Sequence, residues 1–196
     1  MARRPLAVAI TGGIAAGKSE ALAAFARHGA AVASSDEIVH RVYREDAELK
    51  DSLRARWGGA VFDADGEVDR KAVARIVFAD RDELDWLEQQ LHPRVARAHE
   101  AWLEELGSRE KPPPLAVVEV PLLYETGGER RFDRVVVVTA PAAVRAARRG
   151  RFAEREARLV PEQEKLDRAD FAYVNDGTLD ALDAFVAGVV ERLASS

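Results

Sequence analysis

The stretch from Leu6 to Ser19, LAVAITGGIAAGKS, constrains the chain more than any other. It opens on the apolar run Leu6-Ala7-Val8-Ala9-Ile10, which suits a parallel strand covered on both faces. Gly12-x-x-x-x-Gly17-Lys18-Ser19 follows, the phosphate-loop pattern. Ala21, Leu22 and Phe25 then recur at helical spacing. Strand, glycine loop and helix in this order predict a cradle for nucleotide phosphates. Glycines let backbone N–H groups turn inward around a phosphate. The helix start adds free N–H donors and a partial positive charge. Lys18 is placed to meet the β- and γ-phosphates, and Ser19 to offer its hydroxyl to Mg²⁺. The motif implies a nucleoside triphosphate but not the reaction performed on it.

The rest of the chain supplies four more strand-like runs, at 30–34, 115–120, 134–139 and 171–175, besides the first at 6–10. Helical patterns alternate with them. An α/β fold follows, a five-stranded parallel sheet with helices on both faces. The segment from Asp46 to Gly107 is charged and shows only helical spacing, as in Leu49, Leu53 and Trp57, or Leu84, Leu87 and Leu91. Leu91-His92-Pro93 is expected to interrupt that helix, because proline disfavours helix in the residue before it; His92 would sit at a bend. Asp63-Ala64-Asp65-Gly66 lacks the remaining ligands of a calcium loop and reads as a turn. Pro112 to Pro114 form a stiff connector. Thr178 is expected to cap a final amphipathic helix carrying Leu182, Val186, Val189 and Leu193 on one face.

Acidic residues stand where strands end. Ser34-Ser35-Asp36-Glu37 closes the second strand, and ligands of open α/β sheets bind beyond the carboxyl ends of strands. Ser35 or Asp36 equally suits the N-cap of a helix over 37–43. Glu125 follows the third strand and suits a substrate group, a magnesium shell or a cap. Arg145, Arg148, Arg149, Arg151, Arg155 and Arg158 are interleaved with Glu154 and Glu156. They form either a solvated, salt-bridged helix face or a lid whose arginines meet phosphates.

Composition narrows the classes. At 196 residues, 47% of them hydrophobic, one domain with a substantial core is expected. The net charge of −5, with acids and bases mixed, indicates no nucleic-acid footprint. The absence of cysteine excludes disulfides and thiolate metal sites. No apolar run reaches the roughly 18 residues of a membrane span, and Met1 to Pro5 have no cleavable signal form. A cytoplasmic protein is expected.

Four separated stretches then point to one family. They are Ile10-Thr11-Gly12-Gly13-Ile14-Ala15-Ala16-Gly17-Lys18-Ser19, Leu91-His92-Pro93, Val120-Pro121-Leu122-Leu123-Tyr124-Glu125, and Ala169-Asp170 with Asn175-Asp176-Gly177. In order and spacing the chain resembles the dephospho-coenzyme A kinases. The resemblance implies a P-loop kinase fold of the nucleoside-monophosphate-kinase type. Its core would cover about 1–35, 115–148 and 169–196, a helical acceptor-binding insertion about 36–114, and a lid about 149–168. It implies transfer of the γ-phosphate of ATP, with Mg²⁺, to the ribose 3′-hydroxyl of dephospho-CoA. A monomer or weak homo-oligomer is the expected state.

Carried onto this sequence, Gly13, Ile14, Ala15, Ala16, Gly17, Lys18, Ser19 and Glu20 would cradle the nucleotide phosphates. Asn175, Asp176 and Gly177 would lie near the adenine. Thr11, Asp36, His92, Leu122 and Glu125 would serve the acceptor, with Asp36 as base or hydroxyl-orienting group. Lys18, Arg145 and Arg149 would meet the transferring charge, and Ser19 would bind the metal. The chain departs from the family at Ser34, where the family's Asp-x-Asp has its first acid, and at Glu20, where the family has Thr; its lid is shorter. Two rival expectations stand beside this one: a related small-molecule or nucleoside kinase, and a nucleotide-binding homologue without turnover.

Overall fold

The computed structural model describes residues 4–149 and 159–195. Its centre is a five-stranded sheet built from β1 (Leu6–Gly12), β2 (Ala31–Ser34), β3 (Leu115–Glu119), β4 (Arg134–Thr139) and β5 (Phe171–Val174). The strand order is β2-β3-β1-β4-β5 and every pairing is parallel. These are the strands expected from the apolar runs, shifted by a residue or two at their ends.

The runs are continuously apolar because both faces of the sheet are covered. Successive side chains alternate in direction along a strand. Val8 and Ile10 pack on one face with Phe25 of α1 (Lys18–Arg27) and with Leu182, Val186 and Val189 of α8 (Leu179–Ala194). Ala9, Val135 and Val137 face the other way, against Leu123 and Tyr124. Thr178 caps α8 as expected, its hydroxyl accepting from the Ala181 N–H. Arg27 and His28 of the α1 end both meet Asp183 of α8.

The chain divides into two compact units, one of residues up to Ser35 together with those from Leu103 onward, the other Asp36–Trp102. The second unit is helical. It contains α2 (Ser35–Glu45, from Asp36 on), α3 (Ala47–Trp57), α4 (Arg70–Ala79) and most of α5 (Arg81–Ser108). Leu49, Leu53, Val61, Val73 and Val77 are buried within it. Asp46 and Asp69 cap α3 and α4 by accepting backbone N–H bonds. The Asp63–Gly66 stretch is a plain turn: Asp63 Oδ1 accepts from the N–H groups of Asp65 and Glu67. Burial pushes the Tyr43 phenol up to about 12, against the opposing charge of Arg70.

One expectation fails. Pro93 does not interrupt the helix; α5 runs through it for 28 residues, and His92 is an exposed helical residue. An internal proline costs about 3 kcal/mol. Burial of Leu87, Leu103 and Leu106 along the same helix offsets that, each such side chain contributing about 1.5–3 kcal/mol. Arg94 Nη1 also donates to the Gln90 carbonyl at 2.8 Å, placing a side-chain donor in the proline's turn.

No helix among the described residues is long and apolar enough to cross a membrane. Among the described residues, the remaining α-helices of the first unit are α6 (Ala142–Arg149) and α7 (Glu162–Asp167).

Candidate active site

The connections that follow β1 and β4 leave toward opposite edges of the sheet, which opens a crevice beyond their carboxyl ends. The phosphate loop begins there. Gly12 ends β1 at φ +137°, and a Cβ on it would lie 1.8 Å from the Val138 carbonyl oxygen of β4. Only glycine permits that approach. Ala15 adopts the left-handed conformation at φ +57°, and Gly17 at φ +100° leads into α1.

Among the described residues, three side chains fasten the loop. Lys18 Nζ donates to the carbonyls of Gly13 at 2.8 Å and Gly12 at 3.3 Å. The buried Asn175 amide donates to the Ala16 carbonyl at 2.8 Å. Arg148 Nη1 donates to the carbonyls of Ala15 at 3.2 Å and Ala16 at 3.3 Å. Asn175 thus braces the loop itself, while Asp176 and Gly177 are exposed in the connection to α8. Ile14 is half-buried in the loop, and Glu20 is exposed in the first turn of α1.

Ser19 Oγ donates to Glu119 Oε2 at 3.1 Å. Glu119 ends β3, in register with Ile10 and Ser34. Sequence reading left it inside a strand, although an acid closing the neighbour of β1 is a readable signal. Arg145 Nε donates to the Ala140 carbonyl at 2.9 Å, and its Nη2 lies 3.8 Å from Glu162. Gly12, Gly13, Val137, Arg145, Glu162 and Lys165 line a cavity of about 180 Å³ beside the loop.

The structure brings together Gly13, Lys18, Ser19, Arg145 and Asn175 with Arg148, one of the arginines read as a possible lid, and adds Glu119 and Lys165, which sequence reading passed over. Thr11 is fully buried, its hydroxyl donating to the Pro121 carbonyl at 3.4 Å. Glu125 is half-buried in an ion pair with the buried Lys165. Leu122 stays 45% exposed at the carboxyl end of the sheet. Beside it, burial pushes the Tyr124 phenol up, against the Arg168 guanidinium stacked on its ring at 4.2 Å. Asp36 and His92 belong to the second unit, where Asp36 is exposed in the first turn of α2 and His92 is exposed on α5. The Arg149 side chain and Arg151, Arg155 and Arg158 of the expected lid lie outside the described residues.

Residues 6–181 match the family model described as dephospho-CoA kinase. A dephospho-CoA kinase of Mesorhizobium japonicum is 38% identical over 96% of each chain. A Thermus thermophilus protein of known crystal structure is 34% identical, with a TM-score of 0.78 over 97% of this chain and 99% of that one. The Campylobacter jejuni dephospho-CoA kinase shares the fold, with a TM-score of 0.74 at 24% identity over 96% of this chain and 97% of that one. With its phosphate loop and P-loop kinase sheet, the chain belongs to the dephospho-CoA kinase family.

Proposed function

We propose that the protein transfers the γ-phosphoryl group of ATP to the ribose 3′-hydroxyl of dephospho-CoA, giving CoA and ADP, the last step in making coenzyme A. The observation that carries this reading is the intact loop, with Lys18 and Ser19 opening α1 and Glu119 closing on Ser19, in a member of this family.

The donor set suits Mg²⁺. Ser19 and Glu119 offer oxygen ligands side by side, and a hard cation takes oxygen, completing its shell with water and phosphate oxygens. When bound, the ion neutralises charge on the β- and γ-phosphates. The chain's own groups do the remainder. Backbone N–H groups from Gly13 to Glu20 and the start of α1 receive the phosphates. Lys18 and Arg145 meet the charge that develops on the transferring oxygens. In the transfer, a bond forms from the 3′-oxygen to the γ-phosphorus. The bond from that phosphorus to the bridging oxygen breaks, and its electron pair leaves with ADP. The 3′-hydroxyl proton passes to the Asp36 carboxylate. Among the acceptor candidates, the side chains of Asp36, His92 and Leu122 are exposed, whereas Thr11 is buried and Glu125 is half-buried in its ion pair with Lys165. Both substrates are water-soluble, and a cytoplasmic monomer or weak homo-oligomer fits them.

The test is acceptor-dependent ADP release with ATP, Mg²⁺ and dephospho-CoA, with adenosine and AMP as rival acceptors. Turnover confined to dephospho-CoA is expected. Turnover with adenosine or AMP instead, or ATP binding with no acceptor-dependent release, refutes the reading.

A further inference from the structure

Glu125 ends the Pro121-Leu122-Leu123-Tyr124-Glu125 stretch, yet its carboxylate turns away from solvent. Its Oε1 accepts from the Val160 N–H at 3.0 Å and from Lys165 Nζ at 2.6 Å. The side chains are 13% exposed for Glu125 and 3% for Lys165. A buried charge persists where it is paired, and separating the two would strand both. Glu125 is therefore poorly suited to leave its partner for a substrate.

What the pair fixes is nearby. Val160 and Lys165 flank Pro161 and Glu162, the entry to α7. Glu162 Oε2 lies 3.8 Å from Arg145 Nη2. A Cβ on Gly13 would lie 3.5 Å from both Arg145 Nη1 and Glu162 Oε2, so this ion pair sits against the phosphate loop. Gly13, Arg145, Val160, Glu162 and Lys165 all line the same cavity of about 180 Å³. From Glu125 the path runs by hydrogen bond to Val160 and Lys165, along the chain between them to Glu162, and by ion pair to Arg145 beside Gly13.

We propose that Glu125 is a positioning residue: its buried carboxylate anchors the start of α7, and through Glu162 it aims the Arg145 guanidinium at the phosphate loop. The proposal rests on the reading that Arg145 meets the transferring phosphate. Glu125 then acts on turnover without touching the acceptor. Phosphoryl transfer depends on such aim, because its transition state is stabilised by placed charge more than by covalent chemistry.

The experiment compares steady-state kinetics of Glu125→Gln, Glu162→Gln and Arg145→Ala, and of each glutamine variant combined with Arg145→Ala. Glu162 is exposed, so Glu162→Gln spares the buried pair and carries the test if Glu125→Gln fails to fold. Both glutamine variants are expected to lower kcat by about 10- to 100-fold, the effect of a charge displaced by about an ångström. KM for dephospho-CoA should stay within about twofold. In the Arg145→Ala background neither should lower kcat further. A raised KM for dephospho-CoA with kcat kept would make Glu125 an acceptor contact and overturn the proposal. Losses that multiply with Arg145→Ala would overturn it too. Full turnover by Arg145→Ala sinks the role of Arg145 on which it rests. Absence of dephospho-CoA turnover in the unaltered protein sinks the proposed function itself.

Discussion

Asn175 lies 159 residues from Ala16 in sequence, yet its amide sets the course of the phosphate loop. It is 4% exposed, and its own N–H donates to the Thr139 carbonyl at 2.7 Å. A Cβ on Gly17 would lie 2.2 Å from its Nδ2, so loop and amide are in close contact. Asn175→Ala removes the 2.8 Å donor and leaves the Ala16 carbonyl the longer bond from Arg148, at 3.3 Å. Losing a buried partner costs about 1–3 kcal/mol. For a chain of this length each kcal/mol lowers Tm by about 2–4 °C, so a drop of about 2–12 °C is expected. Asn175→Asp should cost more at pH 8, because it turns a carboxylate's lone pairs toward a carbonyl oxygen in a buried place. The introduced carboxyl should therefore have a raised folded pKa. Its protonated form can donate to Ala16, so its stability is present at low pH and lost as pH rises through that pKa. Thermal melts of both variants between pH 4 and 8, with ATP titrated calorimetrically, check this. ATP affinity should fall in both. A Tm for Asn175→Ala within about 1 °C of the parent, or a smaller loss for Asn175→Asp than for Asn175→Ala at pH 8, would refute the reasoning.

Further outcomes follow from the same geometry. Lys18→Ala should lower turnover at least about a hundredfold, since it removes a cation placed for the transferring phosphate; near-parental kcat would sink the site. Glu119→Gln should raise the Mg²⁺ concentration for half-maximal turnover by about tenfold, and an unchanged Mg²⁺ titration counts against its pairing with Ser19 at the metal. Asp36→Asn should cut kcat about a hundredfold while leaving KM for ATP in place; full kcat there would remove Asp36 as base. Hydrogen bonds from Arg27, then His28, hold the Asp183 carboxyl below the usual range. Its contribution is present above about pH 4 and lost as pH falls toward the folded pKa. Asp183→Asn should flatten the acid limb of a stability–pH curve, and an unchanged limb excludes the linkage.

The sequence by itself determined the local features. The run Leu6-Ala7-Val8-Ala9-Ile10 suited a strand covered on both faces, because no polar residue interrupts it. Gly17-Lys18-Ser19 had to open a helix toward phosphate, because motif and helix period meet there. Those signals act over a few residues. Tertiary structure decided what distant residues do to one another. The strand order β2-β3-β1-β4-β5 brings Glu119 to Ser19 across 100 residues. It also carries Asn175 to Ala16. The turn after β3 pairs Glu125 with Lys165, 40 residues further on, a contact that position in sequence did not reveal. Pro93 shows the same limit inside a helix: a local penalty of about 3 kcal/mol gives way to burial along 28 residues. Local propensity is written in neighbouring residues, whereas these contacts depend on sheet order and burial, which exist only once the chain has packed.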